Sequence, residues 1–438
     1  MNRLFLSIGV LAILAGGLRA DDWPQWLGPN RDAVWAEKGI IEKLPESGPK
    51  VLWRVPVSWG YAGPAVADGK VYVPDFETDA DIRKVSNPSN RQPVKGKERL
   101  HCLDAKTGKE IWKHEVERTY AISYPGGPRC TPTVSGGKVY ALGAEGDLLC
   151  LDATSGSVIW SKDFKAEYKA KVPMWGFAGH PLVDGQRLIC IVGGDHATTV
   201  AFDKDTGKEL WKAGNARATG YSSPAIIEAA GKRQLLIWDA DNLNSLDPET
   251  GKLYWSVPAQ STFDMSIMVP RKFGDFLYVA AIDRKSLMLK LNSDKPGVTE
   301  VWRGTTKTGL SPVMMTPFLE NDCIFGADQA GELMAADVAT GKRLWATSEP
   351  ISGAKKYQNG TAFIVKNGDR FFIFSENGNI IIARLTPKGY EEISKANILK
   401  PTNVSFGRDV VWSHPAFANR CMFARNDKEI VCISLAAE

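Results

Sequence analysis

The chain has 438 residues, 44% of them hydrophobic and 24% charged, with a formal net charge of +4. That length suits one large domain or about two to three small ones. So small a charge excludes a partner held by bulk electrostatics, whether nucleic acid or an anionic membrane.

Residues 1–20 read as a signal peptide. Arg3 supplies the positive start, 4–14 is mostly apolar, and Ala20 is the small residue a signal peptidase prefers. The apolar run is too short to span a bilayer, and no later stretch is long and apolar enough. No Cys follows the apolar core to accept a lipid. The expectation is an exported chain, periplasmic or secreted, cleaved near Ala20.

Residues 21–50 lack periodic patterning but carry Trp23, Trp26 and Trp35. They read as an irregular arm packed across the domain that follows. Val51, Leu52, Trp53 and Arg54 then resemble the last strand of a repeat with nothing before it.

The repeat itself starts at 103–112, L-D-A-K-T-G-K-E-I-W. It returns at 151–160, 202–211, 246–255 and 336–345, with a looser copy ending at Trp302. A period of about 40–50 residues marks stacked units of one supersecondary type, here a propeller. An apolar strand runs into an Asp that accepts from turn amides, and the Gly supplies the positive φ of a tight turn. A second strand then ends on a Trp suited to the seam between units.

In chain order, units run over about 61–112, 123–164, 175–211, 221–255, 265–302, 313–345 and 361–393 by that same period. The first carries an insert at 77–99, rich in Asn, Pro, Ser, Lys and Arg, that reads as a surface loop. The fifth replaces its turn with 292–297, NSDKPG, and the seventh has lost its Trp. A last unit begins at Val411 and has sequence for only three strands. The orphan strand at 51–57 supplies the fourth and removes the open edge. The expected fold is an all-β propeller over 51–438 with eight four-stranded antiparallel blades. Seven blades is the alternative if the weak unit is misread.

The seven Cys are widely and irregularly spaced, which is no disulfide framework. Cys102 and Cys150 hold equivalent strand positions and read as small buried side chains. His101 and His114 flank the repeat motif and are expected at the surface. His196 falls in a turn at 193–196.

Several innermost strands open with a residue followed by Pro, which suits a strand start. Residues just ahead of these prolines are expected to ring one mouth of the central channel. They are Tyr61, Arg129, Trp175, His180, Tyr221, Met315, Asn359, Trp412 and His414. A concave, aromatic, partly polar ring is a ligand-site expectation. No catalytic residue and no metal site is assigned.

The L-D-A-x-T-G-x-x-x-W repeat resembles the tryptophan-docking repeat of the PQQ-like propeller superfamily, and the opening W-P-Q-W-x-G-P-N-R resembles its exported members. The resemblance implies one of two activities. Quinoprotein dehydrogenases hold pyrroloquinoline quinone (PQQ) with calcium in the channel and oxidise alcohols or sugars. Most carry a vicinal Cys pair, which this chain lacks, and the nearest candidate calcium ligands here are Asp264, Asn359 and Asp409. The BamB-type outer-membrane assembly propellers are cofactor-free periplasmic scaffolds. The leading expectation is a monomeric, cofactor-free scaffold for a protein partner in the envelope. A quinone-dependent oxidoreductase and a glycan or small-ligand binder at the mouth are the alternatives.

Overall fold

The computed structural model describes residues 22–89, 91–353 and 355–437, and the leader expected over 1–20 lies outside them. Eight antiparallel four-stranded sheets make an eight-bladed β-propeller. The innermost strands of blades 1 to 8 are Ala65–Ala67, Thr133–Ser135, Leu182–Asp184, Ala225–Ala229, Arg271–Phe273, Phe318–Glu320, Ala362–Asn367 and Ala416–Ala418. Seven blades use consecutive strands. The eighth takes its outermost strand from Val51–Pro56, which pairs antiparallel with Glu429–Ser434 and sets Trp53 opposite Cys432. This strand from the far end of the chain completes the last blade and joins it to the first.

The repeat motif works by docking one blade onto the next. Each motif Asp holds its own turn, as Asp104 does by accepting from the Thr107 amide at 2.8 Å and the Thr107 hydroxyl at 2.8 Å. The turn then receives the Trp of the preceding blade. Indole N–H groups of Trp53, Trp112, Trp160, Trp302 and Trp345 donate to the carbonyls of Ala105, Ala153, Lys204, Val338 and Thr386. The motif Gly must be small because the ring lies on it. A Cβ on Gly207, at φ +70°, would sit 2.8 Å from Trp160.

The two irregular repeats follow from this docking. Blade 5 has the aberrant turn, so Trp255 of blade 4 finds no docking carbonyl there and donates to the Gln234 side chain at 2.8 Å. Blade 7 lacks a Trp where blade 8 has no motif turn to receive one. The N-terminal arm packs there instead, with the Leu44 amide donating to Ser394 Oγ at 2.9 Å.

A clear expectation follows for Gly207→Ala. It combines left-handed backbone with a clash against an indole, so urea unfolding should show a loss of about 2–4 kcal/mol. Gly185→Ala, at φ +58° with nothing within 4 Å, has only the backbone term. Its loss should stay at about 1–2 kcal/mol.

Two local expectations change. The segment 77–99 is not one loop: Ile82–Val85 forms a helical turn with Ile82 buried, and the third strand of blade 1 already starts at Val94. Lengthening this hairpin also buries His101, which is 7% exposed rather than at the surface. Its ring nitrogens lie 3.2 Å from Asp75 and 2.9 Å from Glu110. Arg99 pairs with the same Asp75 at 2.7 Å. His114, opposite Leu100 in the next strand, is half-buried. All seven Cys are buried and free.

The arm is built into the hub. Trp23 exchanges backbone hydrogen bonds with Val66 of the blade 1 inner strand, at 2.8 and 2.9 Å. Pro24 O accepts from Val134 of blade 2, and Trp35 donates its amide to Lys366 of blade 7. Trp23 and Trp35 both pack on Phe417 of blade 8. Between these anchors Trp26 and Arg31 reach the entry residues of blades 3, 4 and 8.

Candidate functional site

The loops that enter the innermost strands form one face, together with the turns between second and third strands. A recurring device holds these loops. An acidic residue just after the second strand accepts a backbone N–H from an entry loop. Glu145 takes Ala121 at 3.0 Å, Asp328 takes Ser311 at 2.7 Å, Glu376 takes Thr361 at 3.2 Å and Asp75 takes Ser58 at 2.6 Å. Asp427 takes Gly60 at 3.4 Å. All five carboxylates are buried. Sequence reading passed over them because an acid at the end of a strand looks like ordinary turn chemistry. Their signal is position, since each ends an apolar second strand.

The expected mouth residues separate into two levels. Tyr61, Arg129, Trp175, Tyr221 and Trp412 stand at the mouth itself. The Arg129 guanidinium lies 4.9 Å from the Tyr61 ring centroid. Trp175 and Tyr221 meet edge-on at 5.7 Å, and Tyr124 and Trp412 at 6.3 Å. The Trp412 indole donates to Glu376 at 3.1 Å, and Arg408 pairs with the same carboxylate at 2.8 Å. Asn359 stands apart, its amide bonded to Gln329 O. Met315 is buried. His196 is an exposed turn residue of blade 3.

His180 and His414 lie deeper, where the arm meets them. Trp26 stacks on His180 at 4.5 Å and meets His414 edge-on at 5.6 Å. His414 also packs on Phe363 at 3.9 Å. Arg31 donates to the carbonyls of His180, Pro181 and Pro224, so it ties blades 3 and 4 to the arm. Arg271 of blade 5 donates in turn to Arg31 O at 2.9 Å. The arm thereby fills the axis and gives the mouth a floor.

The floor histidines are neutral. Burial, with help from the nearby Arg31 and His414, pushes His180 well below its ordinary value of 6.5. Burial pushes His414 down to about 3. His180 Nδ1 accepts from the Thr131 amide at 2.9 Å, which the neutral ring can do. An unfolded chain binds a proton near 6.5 that the folded His180 refuses. Stability contributed by this group is therefore present above 6.5 and lost as pH falls below it. For His180→Asn, the loss of unfolding free energy between pH 6 and 5 should be shallower by up to about 1.4 kcal/mol per pH unit. Urea titrations at each pH read that slope directly.

The residues do not fit a PQQ–calcium centre. Asp264 pairs with Arg217 at 2.7 Å and Asp409 with Arg83 at 2.6 Å, while Asn359 belongs to a third loop. Among the described residues no three His, Cys, Asp or Glu side chains gather as metal ligands. The axis is taken by Trp26 and its histidine partners.

Fold and mouth define the class: an eight-bladed PQQ-like propeller whose own N-terminal arm closes the channel below an aromatic mouth. The family model described as outer membrane protein assembly factor BamB matches residues 37–144, 96–347 and 239–438, and the chain belongs to that family. No curated protein matches the sequence. Among solved structures, BamB from Moraxella catarrhalis is similar at 15% identity and TM-score 0.57, covering 89% of this chain and 98% of that one. Quinohemoprotein alcohol dehydrogenase from Comamonas testosteroni is similar at 13% identity and TM-score 0.62, covering 95% and 81%. A europium-containing methanol dehydrogenase reaches 11% identity and TM-score 0.59, covering 94% and 89%. Identities this low speak for the fold alone. Among the described residues, no helix is long and apolar enough to cross a membrane.

Proposed function

We propose that the chain is an exported, non-catalytic scaffold that binds a protein partner of the cell envelope through its mouth-side loops. In this reading it works as a monomer in the periplasm or outside the cell. It needs neither PQQ nor calcium. The observation that supports the reading is the arm: Trp26 packs between His180 of blade 3 and His414 of blade 8, so the chain's own side chain fills the space between these entry residues.

The surface supports a role for the mouth face. Exposed large apolar side chains otherwise sit on outermost strands, close to the docking Trp positions. The exceptions are Met174, Phe263 and Phe406, all on mouth-side loops. Phe263 is 68% exposed at φ +54°, and Phe406 is 52% exposed at φ +47°. A bulky side chain held out on left-handed backbone costs about 1–3 kcal/mol and accompanies binding surfaces.

Photoreactive residues at positions 263, 406 and, as a control on the outer edge, 159 test the reading in the native envelope. The expected result is a cross-link to one defined protein from 263 and 406 and none from 159. Absence of any adduct from both mouth-side positions would sink it.

A further inference from the structure

The mouth holds a cation that the fold does not neutralise. Arg129 sits between the entry loops of blades 1 and 2. It donates to the backbone carbonyls of Gly127, Ser123 and Tyr124, the Ser123 bond being 3.0 Å. Among the described residues no carboxylate pairs with it. Glu98, whose charge acts on Arg129 without a direct bond, is held by the Tyr120 hydroxyl and the Ala144 amide. The Nε hydrogen and one Nη1 hydrogen of Arg129 stay unspent. A half-buried guanidinium whose hydrogen-bond partners are backbone carbonyls gains from an anion at its free N–H groups.

A second, independent group points into the same space. The Tyr61 hydroxyl is buried and has no hydrogen-bond partner. Asn403 stands beside it, but its amide is turned to Asp427 at 3.3 Å. Gly126 and Ile82 border it: a Cβ on Gly126 would come to 3.3 Å from both the hydroxyl and Ile82. The Tyr61 ring lies 4.9 Å from the guanidinium, so the hydroxyl and the free N–H groups of Arg129 belong to one cluster. Trp175, Tyr221 and Trp412 wall the mouth around it, and the arm closes it below.

We propose that Arg129 and Tyr61 form a carboxylate-binding site, and that the mouth takes an acidic side chain or a chain terminus flanked by apolar residues. The site rests on the scaffold reading only for its source of ligand, a segment of the partner protein. Guanidinium and phenol together supply charge-assisted donors to the two carboxylate oxygens, and the aromatic wall takes the neighbouring apolar groups. Neutral glycans would leave the guanidinium as it is.

Three probes separate the chemistry by calorimetry, with mouth tryptophan fluorescence as a second readout. They are N-acetyl-Phe-Phe with a free terminus, its C-terminal amide, and N-acetyl-Phe-Glu-Phe amide. The acid probes should bind saturably, and the neutral amide about tenfold more weakly or worse. The stronger of the two acids tells terminus from side chain. Tyr61→Phe removes only an unbonded hydroxyl, so it should fold normally and lose several-fold in acid affinity. Arg129→Met should abolish the preference for acid over amide. Equal binding of acid and amide overturns the proposal. So does failure of both acids to saturate by about 1 mM with folded protein. If the acids bind but positions 263 and 406 give no cross-link, the scaffold reading falls and the carboxylate site stands. If cross-links form and no acid binds, this proposal falls alone.

Discussion

Trp53→Ala is expected to lower the unfolding free energy by about 3–5 kcal/mol, among the largest effects of any single substitution in the chain. Trp53 is 8% exposed and lies at the seam where blade 8 meets blade 1. Its indole N–H donates to Ala105 O at 3.0 Å, its ring packs against Gly108, and Phe423 lies 5.8 Å away. Removing it leaves a cavity and an unpaired carbonyl at the one seam joined across the two ends of the chain. Trp345→Ala provides the comparison. Its indole makes the same kind of bond to Thr386 O at 2.8 Å but is partly exposed. Its loss should be smaller, about 1–3 kcal/mol. Urea midpoints of the two variants, measured together, rank the seams. Equal small losses would contradict closure through Trp53.

The second large effect belongs to Trp26. Trp26→Ala removes a side chain only 5% exposed from the floor of the mouth and leaves His180 without its stacking partner. The expected cost is again about 3–5 kcal/mol. Trp26→Phe distinguishes packing from hydrogen bonding. The indole N–H has no partner, so an aromatic ring alone should hold the loss to about 1.5 kcal/mol or less. A large loss for Phe as well would mean that the indole has a polar role the geometry does not give it.

The blades were legible in the sequence because their signal is local. The Asp, Thr and Gly of 104–108 make a self-contained turn, and repetition of that turn sets the count and phase. Phase also exposed the orphan strand at Trp53. The loss of the Trp in blade 7 was visible, but its reason was not. That reason is the absence of a receiving turn in blade 8, a relation between neighbours rather than a property of one repeat.

The site was less legible, since its contacts are non-local. Arg31 reaches His180 and Pro224 across 149 and 193 residues of chain, and no spacing rule links them. The Pro-marked strand starts pointed to Tyr61, Arg129, Trp175, Tyr221 and Trp412 as one group. They could not tell that His180 and His414 would become the bed of an inserted tryptophan. His101 misled for a related reason. Its burial depends on Asp75, Arg99 and Glu110, and hence on where the third strand of blade 1 begins. The five loop-holding carboxylates were hidden among turn residues, and only the amides they accept reveal their work.

The division between scaffold and quinoprotein rests on whether the arm leaves room on the axis. Calorimetric titration of the purified mature chain with PQQ and calcium, followed by a dye-linked assay with alcohols and sugars, tests this most directly. The expected result is no saturable uptake of PQQ and no substrate-dependent dye reduction. One PQQ bound per chain, with alcohol or sugar oxidation, would contradict a channel closed by Trp26 and return the molecule to the oxidoreductases.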